Sequence, residues 1–130
     1  MARILIIDDE AGIRQYLVSV LTQIGYEALE AEDGRTGLER AADRTVALII
    51  ADLVLPGALQ GVPLIRKLRE ARPDCPIVVI SGHPSEETVA ACRDLNVTDF
   101  LSKPFEMSFL ADVLARCLSA RAVSAREPAP

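Results

Sequence analysis

The stretch that decides the fold is residues 46–52, which read Val-Ala-Leu-Ile-Ile-Ala-Asp. A continuous apolar run of this length is typical of a parallel strand that helices cover on both faces, because neither face of such a strand meets water. Other short apolar runs occur at Arg3–Ile7, Tyr26–Ala31, Ile77–Ile80 and Val97–Leu101, and the first and third of these are also nearly continuous. Turn residues and then a helical pattern follow each run, so the sequence predicts five successive strand–helix units.

Apolar residues at helical spacing support the helices of these units. They are Ile13, Leu17, Val20, Leu21 and Ile24 in the first helix, Leu38, Ala41 and Ala42 in a short second one, Leu64, Ile65 and Leu68 in the third, and Leu110, Val113, Leu114, Cys117 and Leu118 in the last. The fourth helix, near Glu86–Arg93, has only Val89 and Cys92 as apolar anchors. Strict alternation predicts an α/β fold with a doubly wound parallel sheet in the flavodoxin-like strand order 2-1-3-4-5 and helices on both faces.

The length of 130 residues and the 50% hydrophobic content suit one compact domain. The apolar pattern stops after Leu118, where a small, polar and proline-ended stretch begins. We therefore expect a domain over residues 1–118 and a flexible tail or linker over residues 119–130.

The composition excludes several classes of function. A formal charge of −5 disfavours direct binding to nucleic acid, which needs a basic surface. Three widely spaced cysteines with a single histidine support neither a disulfide framework nor a zinc site. We find no secretory signal and no apolar stretch of membrane-spanning length, so we expect a cytoplasmic protein that does not interact with membranes.

Carboxylates stand directly after two of the predicted strands. Asp8 and Asp9 follow the first strand and Asp52 follows the third. Neighbouring parallel strands end at the same edge of a sheet, so the three side chains should converge. Three negative charges at close range need a cation, and an all-oxygen ligand set favours Mg²⁺. The alternative is that each aspartate only caps the helix that follows it.

Ser81 and Lys103 follow the fourth and fifth predicted strands at the same edge. A hydroxyl donor and an ammonium group are what a phosphoryl group needs there, although either residue alone could be an ordinary surface residue. A carboxylate can attack phosphorus, and Asp52, which stands alone at the centre of the sheet, is the best nucleophile. Asp8 and Asp9 would hold Mg²⁺ together with Asp52, and the backbone carbonyl of Val54 is a further ligand candidate. Glu10 is expected to cap the first helix or to face solvent.

Four motifs in this order resemble the receiver domain of bacterial two-component response regulators. They are Asp8-Asp9-Glu10, Asp52-Leu53-Val54-Leu55-Pro56-Gly57, Ser81-Gly82 and Lys103-Pro104-Phe105. The resemblance implies a phosphorelay in which a sensor histidine kinase or a phosphotransfer protein phosphorylates Asp52, with Mg²⁺ as cofactor. It also implies a chain that accepts and sheds its own phosphate and is not a turnover enzyme.

The resemblance further implies a conformational switch in which Ser81 and Phe100 rearrange. Phe100 could equally be a plain core residue. The face formed by the fourth helix, fifth strand and fifth helix is the expected surface for a downstream partner or for a homodimer. The chain departs from the family pattern at Ala58–Gly61, where the loop is one residue longer and Gln60 replaces an acid. His83 occupies a position whose side chain in relatives influences access of water to the phosphoryl group, although the simpler interpretation is an exposed loop histidine before Pro84.

Three rival functions are open to such a sheet. An aspartyl-nucleophile phosphatase or phosphotransferase usually has an Asp-x-Asp arrangement after its first strand, which this chain lacks. A flavodoxin-type flavin site needs a hydroxyl- and glycine-rich loop after that strand, where this chain has three acids. A receiver-like module that acts by binding alone is the third possibility.

Overall fold

The computed structural model describes residues 2–82, 84–103 and 106–126, and for residue 107 and residues 119–126 it describes the backbone alone. His83, Pro104, Phe105 and residues 127–130 lie outside the described residues. The strands are β1 (Arg3–Ile7), β2 (Glu27–Ala31), β3 (Val46–Asp52), β4 (Ile77–Ser81) and β5 (Asp99–Ser102); the helices are α1 (Ala11–Gln23), α2 (Gly34–Ala41), α3 (Gly61–Ala71), α4 (Glu86–Asp94) and α5 (Met107–Arg126).

The five strands form one parallel sheet in the order β2-β1-β3-β4-β5, which confirms the predicted fold class. Alternate residues of each strand enter two separate cores, because successive side chains of a strand point to opposite faces. Leu5, Ile49 and Val79 pack on the α2, α3 and α4 side. Ile50 and Val78 pack on the α1 and α5 side. Both faces of the central strands are therefore buried, as their continuous apolar sequences predicted.

The register of the sheet fixes which strand ends lie side by side. Ile7 of β1 pairs with Ala51 of β3, so the residues that follow them, Asp8 and Asp52, are adjacent at the carboxyl edge. Asp52 in turn pairs with Ile80 of β4. Side chains from β1 and β3 are thus brought together by backbone pairing alone.

Two arginines hold the opposite, amino edge of the sheet. The buried guanidinium of Arg72 donates to the carbonyls of Ala41 (3.0 Å), Asp43 (3.0 Å) and Val46 (2.7 Å). Arg69 donates to several carbonyls, among them that of Leu95 at 2.9 Å. These bonds satisfy backbone acceptors where α2, α3 and α4 end, since helix ends and the turns beyond them leave carbonyls without helical partners.

The α4 helix lies where the sequence predicted it, and α5 is longer than its apolar stripe indicated. α4 is well formed, because the Ser85 side chain caps it by accepting from the amide of Thr88 at 3.1 Å. The backbone of α5 continues to Arg126, so the first residues of the expected tail are helical. The apolar stripe ends at Leu118, but the alanines and arginines that follow favour helix by their intrinsic propensity. No helix within the described ranges is long and apolar enough to cross a bilayer.

An acidic centre at the carboxyl edge of the sheet

The predicted convergence of carboxylates is present in the structure. Asp8 is fully buried and Asp52 nearly so. Each also binds its own backbone: Oδ1 of Asp8 accepts from the amide of Glu10 at 2.9 Å, and Oδ1 of Asp52 accepts from the amide of Val54 at 3.0 Å. The two carboxylates therefore make local turn contacts and still leave their Oδ2 atoms available to the centre.

Lys103 is the cation of this centre. Its Nζ donates to Oδ2 of Asp52 at 2.7 Å and to Oε1 of Glu10 at 3.3 Å. It also lies 3.3 Å from Oδ2 of Asp8, in ion-pair contact but without the alignment of a hydrogen bond. One ammonium group therefore faces three carboxylates.

The electrostatics of the centre follow from burial and from this excess of negative charge. Burial disfavours the charged form of Lys103, but the hydrogen bond and charge of Asp52, with the charge of Asp8 and the contact with Glu10, outweigh it and raise the pKa of Lys103 above its ordinary value. Burial also raises the pKa of Asp8, and the neighbouring charge of Asp52 raises it further, against the lowering effect of the Glu10 amide. Asp8 is thus a carboxylate whose ionised form is poorly stabilised by the protein alone.

The residues present fit a divalent cation. Oδ2 of Asp8 is buried and has no hydrogen-bond partner within the part of the chain that the structure describes. Asp8, Asp9, Glu10 and Asp52 each offer an oxygen, and these atoms all lie within 4.8 Å of one another. Carboxylate oxygens are the ligands that hard cations such as Mg²⁺ prefer. The Asp9 and Glu10 side chains are exposed and Asp8 and Asp52 are buried, so the set is open on one side.

The other predicted site residues occupy the same edge of the sheet or border it. Ser81 is buried at the end of β4, and its carbonyl accepts from the amide of Lys103 at 2.8 Å. Val54 lies two residues after Asp52 and is 70% exposed. Phe100 is half-buried on β5 and packs against the core on the α3 and α4 side. Phe100 also lines a cleft of about 180 Å³ beside α4, together with Val89 and Cys92.

Sequence reasoning missed two contacts of this centre. Glu10 stands at the N-cap of α1 but makes no side-chain capping bond. Its carboxylate is exposed, as one of the two expectations had it, and contacts Lys103. Arg14 donates to the backbone carbonyl of Asp8 at 2.6 Å and to Glu30 at 3.2 Å, which ties the acidic turn to β2. No sequence pattern indicates either contact, because each joins a long side chain to a group on another element or turn.

Comparison with known proteins agrees with this geometry. The family model described as response regulator receiver domain matches residues 4–115. A probable transcriptional regulatory protein of Picosynechococcus sp. (strain PCC 7002) is 38% identical over 123 residues, covering 89% of this chain and 47% of that protein. The KDP operon transcriptional regulatory protein KdpE of Escherichia coli is 40% identical over 105 residues, covering 81% of this chain and 46% of that protein. This chain thus spans less than half the length of these two relatives.

A solved structure gives the same result for the fold. The CheY-like response regulator receiver domain protein of Methanospirillum hungatei superimposes with a TM-score of 0.90, at 24% identity, over 95% of this chain and 98% of that chain. The fold and the carboxylate centre define a flavodoxin-like α/β domain with a potential cation site at its switch point. The chain belongs to the response regulator receiver domain family.

Proposed function

We propose that this chain is a phospho-acceptor switch of a two-component phosphorelay, in which Asp52 takes a phosphoryl group from a histidine kinase or a phosphotransfer protein. The observation that carries the proposal is the bond between Nζ of Lys103 and Oδ2 of Asp52 inside a cluster of four carboxylates. Receiver domains of response regulators serve phospho-acceptor signalling, and this chain belongs to that family.

The transfer step uses Asp52 and Lys103, which are already in contact. An oxygen of Asp52 attacks the phosphorus of a phosphohistidine, the new P–O bond forms as the P–N bond breaks, and the imidazole nitrogen leaves with the electron pair. Lys103, which now neutralises Asp52, then pairs with the oxygens of the transferred group. Ser81, at the end of the strand between them, is the proposed hydroxyl donor to the same oxygens.

The proposed cofactor is Mg²⁺, held by Asp8, Asp9, Asp52 and the backbone carbonyl of Val54. Bound there, the ion would neutralise charge on the phosphoryl oxygens during transfer. Oδ2 of Asp8 supports this assignment: it is buried, accepts no hydrogen bond within the described residues and has only a 3.3 Å ion-pair contact with Lys103, so a bound cation would stabilise its ionised form.

We further propose that phosphorylation shifts the chain between two conformations, with Ser81 and Phe100 as the moving side chains, and so alters partner binding on the face of α4, β5 and α5. A second copy of this chain is one possible partner for that face. The chain would be modified and would shed its phosphate, without turning over an external substrate. The half-buried position of Phe100 beside the α4 cleft supports a side chain that has room to rearrange.

The experiment that tests the proposal is intact-mass measurement after incubation with acetyl phosphate, with and without Mg²⁺. We expect a gain of one phosphoryl group that requires Mg²⁺ and that Asp52→Asn abolishes. Asp94→Asn, at the exposed carboxyl end of α4, is the matched control and should label like the wild type. Full labelling of Asp52→Asn would rule out Asp52 as the acceptor. If no protein labels, beryllofluoride titration separates rapid loss of phosphate from a module that acts by binding alone.

A further inference from the structure

The loop after Asp52, residues 53–61, is closed by two hydrogen bonds. The amide of Gly61 donates to the carbonyl of Leu53 at 3.0 Å. The amide of Leu55 donates to the side-chain oxygen of Gln60 at 3.2 Å. The chain can turn back on itself between these bonds because Gly57 has a φ of +90°, a conformation that residues with a Cβ rarely adopt. A backbone hydrogen bond therefore joins the two ends of the loop, and the Gln60 side chain makes a second bond inside it.

These bonds fix the two peptide planes on either side of Val54. Atoms of a peptide unit are coplanar, so an amide N–H that is held also fixes the carbonyl of the residue before it. The plane shared by Leu53 and Val54 is held at both ends, by Gly61 and by Oδ1 of Asp52. The plane shared by Val54 and Leu55 contains the Val54 carbonyl, and Gln60 holds it through the Leu55 amide.

The Gln60 side chain, at the start of α3, bonds to the loop and not to the helix. Gln60 is the N-cap residue of α3, yet its side chain makes no capping bond to the helix. N-cap side chains usually accept from an amide in the first turn of their own helix, where they stabilise the helix end. The Gln60 side chain reaches back to Leu55 instead, so its effect falls on the loop that follows Asp52.

We propose that Gln60 is a positioning residue for the divalent cation of the acidic centre, because its side-chain oxygen holds the peptide that carries the Val54 carbonyl. The inference rests on the proposed function, in which that carbonyl is a metal ligand. A ligand held in one orientation before binding costs less ordering when the ion binds. Removal of the Gln60 acceptor should therefore weaken cation binding without altering the chemical groups of the site.

The test compares Gln60→Met, which keeps the length of the side chain and removes the acceptor, with Gln60→Glu, which keeps an acceptor oxygen. In the metal-free chain, we expect the Leu55 amide to exchange its hydrogen faster in Gln60→Met, by about fivefold if the bond contributes the usual ~1 kcal/mol. The dissociation constant for Mg²⁺, measured by titration calorimetry, should rise by a similar factor of about five. In Gln60→Glu both quantities should stay near or below the wild-type values.

Labelling by acetyl phosphate separates positioning from a general loss of structure. At saturating Mg²⁺, Gln60→Met should label at the wild-type rate, and the defect should appear only at low Mg²⁺. Gln23→Met, at the exposed end of α1, is the matched control and should change none of these quantities. Gln60→Asn is a second variant that lacks this bond, because its shorter side chain cannot reach the Leu55 amide from the same backbone. It should show the same weaker Mg²⁺ binding, and it keeps the test valid if Gln60→Met folds poorly.

The outcomes distinguish this inference from the function on which it rests. Wild-type protein that binds Mg²⁺ and accepts label, together with Gln60→Met and Gln60→Asn variants of unchanged Mg²⁺ affinity, would overturn the role of Gln60 alone. Wild-type protein that neither binds Mg²⁺ nor accepts label would contradict the proposed function and this inference with it. A fivefold weaker Mg²⁺ affinity in both variants, restored in Gln60→Glu, is the result that we expect.

Discussion

The ammonium nitrogen of Lys103 lies 2.7 Å from Oδ2 of Asp52, although Asp52 ends β3, Lys103 follows β5, and β4 runs between those strands. Two strand spacings amount to about 10 Å, so the side chain of Lys103 has to reach across the end of β4 to make this bond. A shorter cation could not do so from the same backbone. The length of lysine is thus a geometric requirement of this centre.

Replacement of Lys103 by Met should slow labelling by acetyl phosphate at saturating Mg²⁺ by about 10- to 100-fold, the range that corresponds to a hydrogen bond between charged groups. Methionine keeps most of the aliphatic length and removes the charge. The measurement is the initial rate of mass gain, with Lys67→Met, an exposed residue of α3, as the control. Equal rates for Lys103→Met and the wild type would show that the ammonium group has no part in the transfer.

Replacement of Asp8 by Asn should stabilise the metal-free chain at neutral pH by about 1 kcal/mol, because it removes a buried charge that the protein solvates poorly. Since the pKa of Asp8 is raised by folding, its ionisation opposes folding as pH rises above the ordinary value of 3.8. The difference between the two proteins in free energy of unfolding should therefore shrink as pH falls toward that value.

The same variant should lose the stabilisation that Mg²⁺ gives to the wild type, since a ligand that binds the folded state alone stabilises it. Urea unfolding with and without Mg²⁺ measures both effects, and Asp112→Asn on the exposed side of α5 is the control. An Asp8→Asn protein that is less stable than the wild type without metal would mean that the contact of Asp8 with Lys103 outweighs the cost of burial.

The sequence predicted the fold and the carboxylate centre because the apolar pattern identifies the strands and the pairing of parallel strands places their ends side by side. A continuous apolar run such as Leu48–Ala51 identifies a buried parallel strand, and parallel strands place Asp8 and Asp52 at one edge without any knowledge of side-chain packing. The contact of Glu10 with Lys103 could not be predicted in this way, because it joins residues 93 positions apart through two flexible side chains.

The C-terminal end of α5 could not be predicted from the apolar pattern. Apolar periodicity ends at Leu118, and we placed the end of the domain there, but the backbone remains helical to Arg126. Periodicity reports on burial against the sheet, whereas helix formation depends on intrinsic propensity as well.

The bond between Gln60 and Leu55 could not be predicted either, since a glutamine in a loop carries no sequence signal for the amide that it will bind.

Replacement of Arg72 by Met should lower the free energy of unfolding by about 2–4 kcal/mol, because it leaves the buried carbonyls of Ala41 and Val46 without their donor. The aliphatic length is retained, so the loss would report on hydrogen bonds more than on packing. Urea unfolding measures it, and Arg66→Met on the exposed side of α3 serves as the control. If both variants were equally stable, water would have to satisfy those carbonyls in place of Arg72.

Replacement of Gly34 by Ala should destabilise the chain by about 1–3 kcal/mol, the usual cost of forcing an extra methyl group into a packed contact. A Cβ at Gly34 would overlap the carbonyl oxygen of Leu59, which is backbone and cannot rotate away. Either the amino end of α2 or the loop after Asp52 must therefore shift. Gly12→Ala on α1 is the matched control, because a Cβ there meets nothing within 4 Å and alanine favours helix.

The Gly34 variant also separates the two ways in which the strain can be relieved. If the loop shifts, the Leu55 amide should exchange faster and Mg²⁺ should bind more weakly, as in Gln60→Met. If α2 shifts instead, the free energy of unfolding should fall while Mg²⁺ affinity stays at the wild-type value. Gly34→Ala protein with unchanged stability and unchanged Mg²⁺ affinity would contradict the close packing of α2 against this loop.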